Sequence, residues 1–232
     1  MKQIFLRGIS RSGGTLMVTV LDAHPEIAMC YELYEHLLTP TDEGVDRLND
    51  LRNRLGGAQP WWKKWSRRAA PPLQDRKLDT FVKWSLRGGI ELPRLRELLE
   101  QHAGAGFSFS TFRDRVRFIE AIAMEKMTRE GKRHWGAKMI KGYHELHQIF
   151  PEAYFLFMQR DGRDVAASRK LVGDFKQSME TVATGWCRQI RRFRKFAAQP
   201  GVRARLVDYE SLATDPEPQL REVMNFLGLP WD

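Results

Sequence analysis

Apolar residues in this chain recur with two spacings. Short stretches rich in apolar residues at 4–7, 27–30, 135–139, 153–158 and 202–207 carry no helical period and are bounded by polar or turn-forming residues. Such runs predict strands. The run Ala153-Tyr154-Phe155-Leu156-Phe157-Met158 predicts a central parallel strand covered on both faces. Between the runs, apolar positions return every three or four residues. That period predicts helices over 16–23, ended by His24-Pro25, and over 31–38, 143–149 and 164–171. Ser110 or Thr111 is a cap for a helix with the stripe Phe112, Val116, Ile119, Ala123 and Met127, closed by Gly131. A long amphipathic helix over 182–198 turns Trp186, Ile190, Phe193 and Ala197 inward and leaves its arginines solvated. The last helix starts at Asp215-Pro216, carries the stripe Leu220, Val223, Met224 and Leu227, and stops at Gly228.

Strands alternating with helices imply an α/β fold, a three-layer sandwich around a parallel sheet. The pattern weakens from 39 to about 101, where Gly56-Gly57, Pro60, Pro71-Pro72 and Gly88-Gly89 predict short helices and long loops. No repeat or linker divides the chain, so residues 1–232 are read as a single domain with a mostly helical insert over 39–130.

In a parallel sheet, ligands bind beyond the carboxyl ends of the strands. Two segments fall there. Gly8-Ile9-Ser10-Arg11-Ser12-Gly13-Gly14-Thr15 joins the first strand to the first helix, the layout of a phosphate cradle. Its spacing is that of a Walker loop, except that Gly14 holds the lysine position and a cation stands earlier, at Arg11. The second segment, Gln159-Arg160-Asp161-Gly162-Arg163-Asp164, follows the 153–158 strand, with Ser168 eight residues past Arg160. A guanidinium fork and a hydroxyl there suit one phosphate. Alternatively, Arg160 clamps Asp161 or Asp164. Two anion sites in one crevice point to a ligand with separated phosphates.

The charge balance, 38 basic against 29 acidic residues for a net +9, favours anionic partners without choosing among them. The cluster Trp61-Trp62-Lys63-Lys64-Trp65-Ser66-Arg67-Arg68 suits base stacking, sugar stacking or a membrane surface, or simply tryptophans packed inward; the last is the expectation. No apolar run has the length of a bilayer span. Cys30 and Cys187 form neither a metal spacing nor a disulfide framework. A cytoplasmic location and no metal are the expectations.

The first loop, with Leu16, resembles the 5′-phosphosulfate loop G-x-P-R-S-G-T-T-L of sulfotransferases. Residues 155–164 with Ser168 resemble the family's 3′-phosphate strand-loop-helix. Tyr209-Glu210-Ser211-Leu212, Asp215-Pro216 and Phe226-Leu227-Gly228 resemble its Y-E-D-L, D-P and F-L-G ending. Leu16-Met17 and Leu21-Asp22-Ala23-His24-Pro25-Glu26 are similar to the tyrosylprotein and Golgi-type branch and its bacterial relatives. The resemblance covers most of the chain outside 39–130.

It implies a P-loop-like fold and a co-substrate, 3′-phosphoadenosine 5′-phosphosulfate (PAPS), whose sulfuryl group passes to an acceptor hydroxyl or amine without a metal. By position, Arg11, Ser12, Gly13, Gly14 and Thr15 would hold the phosphosulfate, with Arg11 steadying the leaving phosphate. Arg160 and Ser168 would hold the 3′-phosphate, and Tyr209 would lie near the adenine. Glu32 falls where the family's base falls, with Glu35 and His36 as alternates; Lys138 would touch the sulfonate, and His24 shapes a turn. Region 39–130 would shape the pocket for the acceptor: a carbohydrate, lipid-linked sugar, small phenol or peptide tyrosine. Specific nucleic-acid binding is not implied, and peripheral membrane contact is compatible. Ser10 and Gly14 depart from the family's proline and threonine, and its basic glycine-containing lid has no counterpart here. Two other classes fit parts of the pattern. A magnesium-dependent P-loop kinase or nucleotidase would use Asp161. A non-catalytic nucleotide- or nucleic-acid-binding protein would use the charge and the tryptophans.

Overall fold

The computed structural model describes residues 1–33, 46–56, 73–139, 142–171 and 178–231, with side chains for all of these but residues 73–76. Five parallel strands form one sheet: β1 Gln3–Gly8, β2 Ile27–Cys30, β3 His134–Lys138, β4 Tyr154–Gln159 and β5 Arg203–Asp208. Their order is β2-β3-β1-β4-β5, so β1 lies at the centre and β4 is its inner neighbour. The apolar run that predicts a central strand therefore belongs to β4, which is buried on both faces as expected but one place off the middle.

Side-chain alternation along these strands builds two cores. On one face Phe5, Trp135, Phe155 and Phe157 pack beneath α2 Leu48–Gly56, α3 Leu73–Arg87, α4 Leu92–Gly104, α5 Phe112–Arg129, α6 Tyr143–Ile149, α7 Gly162–Leu171 and α8 Met179–Ala197. On the other, Ile4, Leu6, Leu156 and Met158 pack against α1 Gly14–Ala23, α9 Tyr209–Thr214 and α10 Pro216–Leu227. Helix, sheet and helix are the three layers. Phe5 anchors the first core, with ring centroids 5.5–5.7 Å from Phe155, Phe150 and Trp135. Such aromatic pairs add about 0.5–1.5 kcal/mol each beyond their buried area.

Local chemistry explains most boundaries. Thr111 caps α5, its Oγ1 accepting the Asp114 N–H at 3.1 Å. Ser178 caps α8 by accepting the Thr181 N–H at 3.2 Å, so the helix begins three residues before the apolar stripe signals it. That stripe also includes fully buried Phe196, while Arg188, Arg191, Arg194 and Lys195 face solvent as expected. Within the 39–130 stretch α3 and α4 are longer than predicted, at 15 and 13 residues. Gly88-Gly89 ends one and Pro93 opens the other, so these breakers punctuate helices instead of preventing them. The 31–38 helix and the tryptophan cluster lie, beyond Leu33, outside the described residues.

An ion network ties α1, β2 and α5. Asp22 accepts the Met29 N–H at 2.7 Å and the Lys126 ammonium at 2.6 Å, and Lys126 also reaches Glu130 at 2.8 Å. His24 shapes the turn before β2 as expected: Nδ1 accepts the Glu26 N–H, and the other ring nitrogen lies 3.1 Å from the Pro230 carbonyl.

Two histidines make stability depend on pH. Burial holds His102 and His134 below the ordinary value of 6.5, and the Lys2 charge adds to this at His134. His134 Nδ1 accepts the Lys2 N–H, which requires an unprotonated nitrogen. The unfolded chain therefore takes up protons first. This part of the stability is full above pH 6.5 and is lost as pH falls below it. Thermal unfolding is expected to show a melting temperature that drops from about pH 7 to about pH 5, and less steeply in His102→Phe.

Candidate functional site

The β1 and β4 ends lie level, since Gly8 pairs with Met158 in the parallel register. The loops that follow them therefore open into one cavity of about 560 Å³, within the size range of small-molecule sites. Arg11, Gly13, Gly14, Thr15, Glu32, Lys138, Arg160, Ser168 and Tyr209 line it, joined by Arg169 and Gln189. Four of these side chains are cationic and one is acidic.

The loop after β1 is held by crowding. A Cβ on Gly8 would stand 2.5 Å from Ser12 Oγ and 2.9 Å from Met158 Cβ. Ser12 is buried, and both its N–H and its hydroxyl donate to the Ile9 carbonyl, at 3.0 and 2.6 Å. It closes the turn and presents no hydroxyl to the cavity. Gly13 has φ 84°, and a Cβ there would fall 2.3 Å from the Tyr209 ring. Arg11 also adopts a left-handed backbone, φ 74°, which costs about 1 kcal/mol or more for a side-chain-bearing residue. No side chain caps α1 and no acidic residue occupies its first turn, so its free N–H groups and dipole face the cavity.

Side chains divide into two groups. Arg11 donates from Nε to Ser168 Oγ at 3.0 Å, and Arg160 donates from Nη1 to the Arg11 carbonyl at 3.1 Å. Arg160 lies 4.4 Å over the Tyr209 ring; its Nε is buried and makes no hydrogen bond among the described residues. Arg11 thus reaches Ser168, and Arg160 braces the loop from behind Tyr209. The Arg11 side chain, expected beside the phosphosulfate, directs its Nε to Ser168, and Lys138 lies against the first turn of α1. Its stem runs past Gly14, and its Nζ lies 3.2 Å from Thr15 Oγ1 and is hydrogen-bonded to Glu32 Oε1.

Tyr209 is a wedge between Gly13 and Arg160, one ring face covered by the guanidinium. Arg160 clamps neither Asp161 nor Asp164. Asp161 instead takes Arg163 at 2.6–3.2 Å, and this partner's side chain, followed by its N–H, pulls the carboxyl down to about 2. Asp161 lines an adjoining cavity and not the loop side, so the carboxylate required by the magnesium reading is turned away from the cradle. Glu35 and His36 lie outside the described residues. Arg169 and Gln189 were missed in the sequence; Arg169 directly follows Ser168, whereas Gln189 gives no signal beyond its polar place beside the α8 stripe.

A model of the Sulfotransferase family matches residues 3–232. Protein-tyrosine sulfotransferase A of Caenorhabditis elegans is 30% identical over 244 residues, which cover 99% of this chain and 50% of that protein. Protein-tyrosine sulfotransferase 1 of Danio rerio is 27% identical, covering 100% of this chain and 54% of the relative. The chain spans about half the length of these curated relatives. Among solved structures, the sulfotransferase domain of the Synechococcus PCC 7002 olefin synthase matches with TM-score 0.55 at 18% identity, covering 100% of this chain and 74% of that one. A sulfotransferase from Alicyclobacillus acidocaldarius matches with TM-score 0.53 at 16% identity, covering 99% and 82%. These structures share the fold, and the family match over nearly every residue settles the lineage: the chain belongs to the sulfotransferase family.

Proposed function

We propose that the chain transfers a sulfuryl group from PAPS to an acceptor hydroxyl. The observation that carries this reading is the cavity itself, where, among the described residues, four cations and an uncapped helix N-terminus surround one carboxylate. The buried Nε of Arg160, without a hydrogen bond among the described residues, fits a second anion in the cavity it shares with Ser168.

Arg160, Ser168, Arg11 and Arg169 would hold the 3′-phosphate. The α1 N–H groups, Thr15 and Lys138 would hold the phosphosulfate. PAPS supplies a sulfur–oxygen bond that can break toward a phosphate leaving group. The acceptor oxygen forms the new bond to sulfur as that bond breaks, the proton passes to Glu32, and adenosine 3′,5′-bisphosphate departs. Lys138 and the helix dipole stabilise the charge that develops on the leaving phosphate, a fixed electrostatic contribution that can supply a large share of a rate enhancement. A carboxylate positioned to take a proton adds a further factor of about 10²–10⁴. The relatives' names favour a protein tyrosine as the acceptor in this chain also.

Calorimetry should show adenosine 3′,5′-bisphosphate binding to the wild type and ATP binding more weakly; binding of ATP alone would refute the reading. Arg160→Ala should cost about 1.5–3 kcal/mol of bisphosphate affinity, the loss of one charged hydrogen-bond set. Glu32→Gln should lower kcat by about 10²–10⁴ with no loss of donor affinity. Full turnover in that variant would assign the proton to another group.

A further inference from the structure

Among the described residues, the one carboxylate and the one ammonium lining the cavity, Glu32 and Lys138, are hydrogen-bonded to each other. Lys138 and Glu32 side chains are only 14% and 22% exposed, so solvent screens their attraction weakly. Lys138 is also a cation within reach of the α1 N-terminus, its Nζ lying 3.2 Å from Thr15 Oγ1. An anion seated on the first turn of α1 and the Glu32 carboxylate must therefore compete for one amine. The space needed for an exchange is present. Gly14 has no side chain, and a Cβ there would stand 3.0 Å from Lys138 Cε and 3.6 Å from its Nζ. The lysine stem lies flat along the loop where the usual threonine of this motif would obstruct it.

We infer that Lys138 is a latch on Glu32, released when an anion occupies the loop. Before the donor site fills, the ammonium holds the carboxylate oxygen that is to take the acceptor's proton. Once Lys138 turns to an anion on α1, Glu32 loses its partner and becomes free to act as base. The donor site must then fill before deprotonation can begin. The inference rests on the donor reading proposed above, and reciprocity gives it a measurable cost: whatever the anion takes from the pair, the pair takes from anion affinity.

The test is calorimetric binding of adenosine 3′,5′-bisphosphate and of PAPS, without acceptor, to the wild type, Glu32→Gln, Lys138→Met and the double variant. Removing Glu32 also removes plain charge repulsion, and the Lys138→Met background measures that part. With a latch, Glu32→Gln tightens binding of at least one of the two probes more when Lys138 is present than when it is absent, by about fivefold or more. Glu32→Asp, which keeps the charge but shortens the reach to Lys138, should tighten that binding as well. Equal gains in both backgrounds, with no tightening in Glu32→Asp, would overturn the latch while leaving the donor reading intact. A wild type that binds neither probe would remove the donor reading instead.

Discussion

The level pairing of β1 with β4 is the constraint on which the site depends. Parallel strands in register end at the same height, so the turn after Gly8 and the turn after Gln159 meet without any long connection. Neither loop alone makes more than a common anion contact. Brought together, they allow Arg160 to brace the Arg11 carbonyl and Arg11 to reach Ser168, across separations of 149 and 157 residues. The two cores flanking the sheet fix that register, because slipping one strand by a residue would exchange the inward faces of Phe155 and Leu156.

Crowding adds to hydrogen bonding as a means of holding the loop. Tyr209 fills the space beside Gly13, and Arg160 covers the ring from the other side. The start of α9 is thereby coupled to the start of α1, although the two helices are far apart in the chain. Arg160 meets a backbone carbonyl and a ring, and Arg11 a hydroxyl, so neither charge is paired with a carboxylate among the described residues. Lys138 is the exception.

Much of this was legible in the sequence. β2 coincides with its predicted span, and the loop of residues 8–15 and the Arg160–Ser168 pair stand in the expected crevice. What was not legible has physical reasons. The direction of the Arg11 side chain follows from a left-handed backbone that a non-glycine residue seldom adopts, and no propensity forecasts it. The Lys138–Glu32 pair spans 106 residues and exists only because β2 and β3 are neighbours. The early start of α8 was signalled by Ser178, but a lone serine before an exposed first turn is a weak cue beside an apolar stripe. The lengths of α3 and α4 escaped because their breakers fall between helices, where a breaker gives no measure of what it separates.

The tightness of the loop also limits how this scaffold can change. Positions 8 and 13 are each closed to a methyl group by atoms 2.3–2.5 Å away, one the Ser12 hydroxyl and the other the packed Tyr209 ring. Selection or engineering for a different nucleotide cannot work by decorating that backbone. Variation is channelled into the side chains standing around it, Thr15, Leu16, Arg169 and Gln189, which line the cavity without supporting the turn. A library confined to those four sites would explore new donors on an unaltered cradle.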